Sequence, residues 1–282
     1  MRQAGGWVVS TITAGPVAEK TKHWVSAAQP GKRASRKVRE EAKKLQQNSY
    51  SAMKELARLI NANFTSGDLL LGLDYSEAGH AKLDRAAGIP ANLTGERLTQ
   101  ERIARADLIR DAAEHELALC IRRVNRLLKK ESSDLLYVAV TADIDGDTKE
   151  WVRVHHHLVV PEGCKQAFIE KWEKLGYGGV SWTPLRKMQI DRTPIAEYLL
   201  RQVRQIRDQN KFTSSRNLVR PKAVVRAVAS GAFLRVPKGC TALPDTKLTP
   251  ELQYLKYTLP PDKIAAAADE IKRRRRKERD AA

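Results

Sequence analysis

The stretch LLYVAVTADIDGDTKEWVRVHHHLVV, residues 135–160, decides the fold. Leu135 to Thr141 is dense in apolar and β-branched residues and reads as a strand. Asp143, Asp145, Gly146 and Asp147 are turn formers, and a second strand follows from Trp151 to Val160. Two neighbouring strands joined by a short polar turn predict an antiparallel hairpin. Alternation with period two places His155 and His157 on one face of the second strand and His156 on the other. Half of the six histidines of the chain stand here. Two imidazoles on one face of a rigid strand form a ready ligand pair for a divalent cation. No second ligand pair at zinc-finger spacing follows.

Downstream, Cys164 to Leu175 reads as a short helix and Gly179 to Thr183 as a strand. A further helix starts at Thr193, an N-cap residue, with Pro194 at its first position and Glu197 in its first turn. Its predicted buried face is Ile195, Leu199, Val203 and Ile206. Tyr198 lies beside that face, with Arg201, Gln202 and Gln205 at i+3, i+4 and i+7 on one polar stripe. A tyrosine hydroxyl on a rigid helix can act as a covalent nucleophile. With a pKa of about 10 it needs activation, by a cation on the attacked group or by a nearby guanidinium.

Upstream, residues 16–36 read as a loose basic lead-in. The spacing of Val38, Leu45, Leu56 and Ile60 predicts a helix over 35–63, and a buried strand follows over 68–75. The polar, glycine-containing residues 76–97 read as a loop or insertion. Ile109, Ala113, Leu117, Cys120, Val124 and Leu127 mark the inner face of a long helix over 99–130. Beyond residue 211, short strands are predicted at 223–228, 232–236 and 254–259. From Pro261 the chain is Ala-rich and then runs KRRRRK over 272–277, a helix or a frayed basic tail.

The charge bounds the function. Lys plus Arg number 51 against 33 Asp plus Glu, a formal net charge of +18. Such an excess points to a polyanion, with nucleic acid first. The 42% hydrophobic content is enough for a packed core. No stretch approaches the roughly 18 apolar residues of a membrane span, so no membrane partner is expected. Cys120, Cys164 and Cys240 form no CxxC pair, which suits a reduced, cytoplasmic setting.

The order of these features resembles the HUH endonucleases. More narrowly it is similar to the rolling-circle replication initiators (Rep proteins) of plasmids, phages and integrative elements of Gram-positive bacteria. The resemblance runs from about residue 46 to 221. QQNSYSAMKELARLINANFTSGDLLLGLDYSE is similar to the opening helix and first strand motif, VRVHHHLVV to the second motif, IAEYLLRQ to the tyrosine motif, and KFTSSRNLVRP to a downstream Ser-Arg-Asn-Leu-x-x-Pro segment. Three positions depart from the pattern. Leu73-Asp74-Tyr75 stands for Leu-Thr-Tyr, Arg201 stands for Lys, and no carboxylate clearly fills the third-ligand position before the histidine strand.

The resemblance implies an α+β fold: a central antiparallel sheet of about five strands, related to the RNA-recognition and ferredoxin-like arrangement, with helices on one side and basic helical extensions at both ends. It divides the chain into a lead-in and helix over 1–66, an endonuclease domain over 67–262 and a basic tail over 263–282. His155 and His157 would hold Mg²⁺ or Mn²⁺, with Asp143 or Gln189 as a further ligand. Tyr198, assisted by Arg201, would nick single-stranded or melted origin DNA through a 5′-phosphotyrosine, and a later transesterification would rejoin the strand. Arg153, Gln202, Gln205, Lys211, Arg216 and Arg220 would contact the DNA. No P-loop (GxxxxGK[ST]) occurs, so duplex unwinding would fall to a recruited host helicase. Two alternatives stand beside this reading: a non-catalytic DNA-binding protein on the same fold, and a transposase or relaxase of the same superfamily.

Overall fold

The computed structural model describes residues 5–25, 39–204, 210–250 and 252–280. The elements in chain order are β1 (Gly6–Ala14), β2 (Val17–Val25), α1 (Arg39–Asn63), β3 (Leu69–Leu73), α2 (Glu77–Ala86), α3 (Gly95–Ala104), α4 (Ala106–Lys130), β4 (Val138–Ile144) and β5 (Trp151–Val160). After a 3₁₀ turn (Glu162–Cys164) come α5 (Lys165–Lys174), β6 (Val180–Pro184), α6 (Thr193–Arg201), β7 (Thr213–Ser214), β8 (Val224–Ala227), β9 (Thr241–Ala242), β10 (Lys247–Leu248), β11 (Gln253–Thr258) and α7 (Pro261–Asp280). The fold is α+β, with two antiparallel sheets.

The first sheet has five strands in the order β6-β3-β5-β4-β7, so the histidine strand is central. The expected hairpin forms, with Val138 opposite Val159 and Ala142 opposite His155, and the register shifts between Ala142 and Ile144. One face packs Leu71, Leu73, Ala139 and Leu158 against Ile109, Leu117 and Val124 of α4 and Phe168 and Trp172 of α5. The other packs Val138, Val140 and Val159 against Leu56 and Ile60 of α1 and Ala196 and Leu199 of α6. Helices therefore cover both faces, where one covered face was expected. The reason is local: every residue of β4 is buried, and β5 ends in three consecutive buried apolar residues. Strands apolar at both parities need cover on both sides.

Three further expectations change. Residues 76–97 contain α2, whose start is capped by Ser76 Oγ accepting from the Gly79 amide at 3.2 Å. The long helix over 99–130 is two helices, broken at Arg105, and its inner face ends on buried Leu128 with Leu127 only partly covered. The lead-in over residues 16–36 includes β2. Residues 26–38 lie outside the described ones.

β2 belongs to a second sheet of order β10-β11-β2-β1-β8, with β9 on β11. The β1–β2 hairpin turns at Gly15, whose φ is +55°. A Cβ there would lie 2.1 Å from the Asn61 carbonyl oxygen, so only glycine fits. Predicted strands at 223–228 and 254–259 appear as β8 and β11, but 232–236 is irregular. There Leu234 enters a small core with Ala18, Leu255 and Tyr257, and its amide donates to Gln253 Oε1 at 2.8 Å.

The two sheets meet at α1 and at the start of α6. Arg58 Nη2 pairs with Glu19 at 2.6 Å, and the Tyr254 hydroxyl donates to the same carboxylate at 3.0 Å. Lys256, almost fully buried, donates to Thr193 Oγ1 at 2.6 Å and pairs with Asp191 at 2.8 Å and Asp245 at 3.0 Å. The basic C-terminal segment is a docked helix rather than a frayed tail. Arg274 donates to the Ala62 carbonyl at 2.9 Å, and Arg275 donates to the Asn63 carbonyl at 2.6 Å and pairs with Asp68 at 2.7 Å. These are carbonyls that the end of α1 leaves without a helical partner. Among the described residues no helix is long and apolar enough to cross a membrane.

Candidate active site

The pleat of β5 separates the three histidines as the alternation predicts. His156 is fully buried on the α4–α5 side, with Nε2 2.9 Å from the Tyr75 hydroxyl and Nδ1 3.1 Å from Thr141 Oγ1. Its ring meets Trp172 and Tyr75 edge to face. Burial, with His155 and His157 nearby, lowers its pKa to about 3. It is a neutral, structural group, and the tyrosine of Leu73-Asp74-Tyr75 is its partner.

His155 and His157 face the α1–α6 side. Their rings stand 4.9 Å apart at 88°. His155 Nδ1 lies 3.0 Å from the Arg153 carbonyl oxygen. A carbonyl only accepts, so Nδ1 carries the proton and Nε2 keeps its lone pair for a ligand. His157 Nε2 lies 3.4 Å from Gln202 Oε1, and burial, with His155 alongside, holds the His157 pKa down at about 4. The neutral imidazole is the form that binds a cation.

Tyr198 comes in from α6, its ring centroid 5.5 Å from that of His157 and 49% of its surface exposed. The helix is fixed from beneath by Ala196 and Leu199, both fully buried. Its start is tied down differently from expectation. Asp191 Oδ1 accepts from the Thr193 amide at 3.0 Å and from the Thr193 hydroxyl at 2.7 Å, so Asp191 does the work expected of Thr193. Gln202 donates from Nε2 to the Tyr198 carbonyl at 3.2 Å, which aims its Oε1 at His157.

The structure thus brings His155, His157, Tyr198 and Gln202 together. It engages one of the two expected extra ligands, Asp143, elsewhere. Asp143 is 1% exposed, and its oxygens are taken by Arg110 at 3.2 Å and Arg204 at 2.6 Å. Gln189 sits in the turn before α6, its amide bonded to the Arg186 carbonyl. Gln202, expected on DNA, sets its Oε1 as an acceptor beside His157 Nε2, a placement its i+4 spacing from Tyr198 made readable. The β3–β5 register ends with Leu73 opposite His156, and the exposed Asp74 follows directly. Among the described residues no group of three or more His, Cys, Asp or Glu is placed to hold a metal ion. The available set is two imidazoles and an amide oxygen, a neutral set in which water and phosphate oxygens would have to complete the shell of a divalent cation.

Arg201 turns away from Tyr198 to pair with Asp147 in the β4–β5 turn, and its carbonyl accepts from Lys149 at 2.9 Å. That exposed pair is weak and open to exchange. Arg153 pairs with Glu77, Lys211 donates to Ser49, and Arg220 donates to Ser214 at 2.9 Å. Lys211 and Arg220 line one open cleft of about 450 Å³ with Phe212. Arg216 is exposed, and Gln205 lies outside the described residues. In the KFTSSRNLVRP segment, Ser215 and Leu218 are buried and Val219 exchanges two bonds with Asn63, so much of that motif is packing. Compared with models of protein families, with curated proteins and with solved structures, the chain matches none.

Proposed function

We propose that the protein is a nickase and strand transferase for single-stranded DNA, of the rolling-circle initiator type. The observation that carries the reading is the tyrosine ring 5.5 Å from His157, on a helix docked through Ala196 and Leu199 and followed by Gln202, which faces the same imidazole. Tyr198 Oη would form a bond to phosphorus as the bond to the 3′ oxygen breaks, leaving a 5′-phosphotyrosine and a free 3′-hydroxyl. Attack by that or another 3′-hydroxyl on the same phosphorus would release the tyrosine and rejoin the strand. His155, His157 and Gln202 would hold Mg²⁺ or Mn²⁺, which when bound supplies Lewis-acid stabilisation of phosphate charge. Arg201 would exchange Asp147 for the phosphate. The cytoplasm, an origin on a mobile element and a recruited helicase belong to the same proposal.

The test is incubation with single-stranded DNA and Mn²⁺, followed by a denaturing gel. A covalent adduct is expected with the unmodified chain and none with Tyr198→Phe, which should bind DNA as before. An adduct surviving in Tyr198→Phe removes the nucleophile assignment. The competing reading, a DNA-binding protein without chemistry, draws on the absence of an acidic ligand cluster among the described residues. Binding without any adduct would favour it.

A further inference from the structure

We propose that the second sheet carries a separate binding surface for single-stranded nucleic acid, built on Trp7, Trp24, Lys20, Val224 and Arg226. The strand register puts these side chains on one face. Trp7 pairs with Trp24, Val9 with both Lys22 and Arg226, and Thr11 with both Lys20 and Val224. The opposite face carries Glu19 and Tyr254, which are bonded together beside Arg58 of α1. The proposed face thus points away from that junction and from Tyr198.

Trp24 is 53% exposed and Val224 57%. The two tryptophan rings meet edge to face at 5.6 Å, and Lys22 Nζ lies 4.9 Å from the Trp7 ring. Lys22, on the same face, is 8% exposed and donates to the Ser230 and Ala232 carbonyls at 2.5 and 2.6 Å, so the segment that brings in Leu234 covers the middle of the face and leaves Trp24 and the β8 edge open. A rigid aromatic platform next to cations suits unstacked bases on a phosphate backbone.

Charge selects this occupant over an apolar protein partner. Between residues 222 and 238 stand Lys222, Arg226, Arg235 and Lys238, all exposed, with no acidic residue among them; Lys247, opposite Tyr254, belongs to the other face. Single strands are favoured over duplex because a tryptophan face is satisfied by a base that has left its stack.

The experiment uses the full chain carrying Tyr198→Phe, so that no chemistry intervenes. Short oligo-dT and a duplex of equal length are titrated, with tryptophan fluorescence and anisotropy read. Trp24→Ala should weaken oligo-dT binding about tenfold and change duplex binding less than twofold. Arg226→Ala should lower the slope of log affinity against log salt by about one for single strands. Circular dichroism of each variant checks the fold, and Trp24→Phe should restore most of the oligo-dT affinity. Unchanged affinity in folded Trp24→Ala, or equal loss for single strand and duplex, overturns the proposal. In the chain with Tyr198 intact, Trp24→Ala should leave adduct formation at saturating DNA unchanged. An absent adduct with oligo-dT binding intact would count against the nickase reading alone.

Discussion

Three adjacent histidines in one strand have separate duties because a strand gives neighbours opposite surroundings. His155→Ala and His157→Ala should each abolish Mn²⁺-dependent adduct formation while shifting the melting temperature little, since both rings are partly exposed. His156→Ala should do the reverse. It opens a cavity beside Trp172 and leaves Tyr75 and Thr141 without their partner, at a cost of about 2–4 kcal/mol in chemical denaturation. This division was legible from alternation alone. The role of Asp143 was not. Its partners Arg110 and Arg204 lie on distant stretches of the chain, and no local pattern announces a buried ion pair. Asp143→Ala should leave the almost fully buried Arg110 dependent on the partly exposed Glu114 and lose about 3 kcal/mol of stability. Calorimetry should find its Mn²⁺ affinity unchanged.

At the level of elements, the periodic segments were readable and the charged ones were not. The histidine strand has the bounds its apolar alternation gave, and α1 and the body of α4 fall where their three- and four-residue spacings put them, but α6 ends at Arg201, before Val203 of its expected buried face. The run KRRRRK carries no contrast along its length, so its helix phase is hidden. Ile271 resolves it: Arg274 and Arg275 stand three and four residues on, and the three share the docked face. Truncation before residue 270 would therefore remove both exposed positive charge and a structural clasp. Arg274→Ala with Arg275→Ala should lower the melting temperature by several degrees, as expected for a loss of about 1–3 kcal/mol. Lys272→Ala with Arg276→Ala should leave melting unchanged and reduce only the salt dependence of DNA binding, as read by anisotropy titration.

Across the whole molecule, the second sheet is what sequence patterning missed. β2 reads VAEKTKHWV, with charge on both faces, and its long-range partner is β11. Neither fact shows in a local window. Where the two sheets meet, Lys256 holds the first turn of the tyrosine helix through Thr193 and Asp191. Burial alone would lower the Lys256 pKa, but the bonds to Asp191 and Asp245 raise it on balance, so the group is a buried cation. Lys256→Met should cost about 3–5 kcal/mol by stranding Asp191. It should also slow adduct formation at saturating DNA in the fraction that remains folded, a rate measurable by quenched gel time courses.

The pairing of residues 17–22 with 253–258 also sets an order of events during synthesis. Between those two segments the ribosome makes roughly 230 residues, which at typical speeds takes roughly 10–50 s. During that interval the β1–β2 hairpin waits with its β2 edge open, and the histidine strand and the tyrosine helix are made well before Lys256. A nascent chain stalled before Lys256 would hold Tyr198 on a helix whose first turn lacks that anchor, so synthesis itself delays the moment at which the tyrosine is held in place.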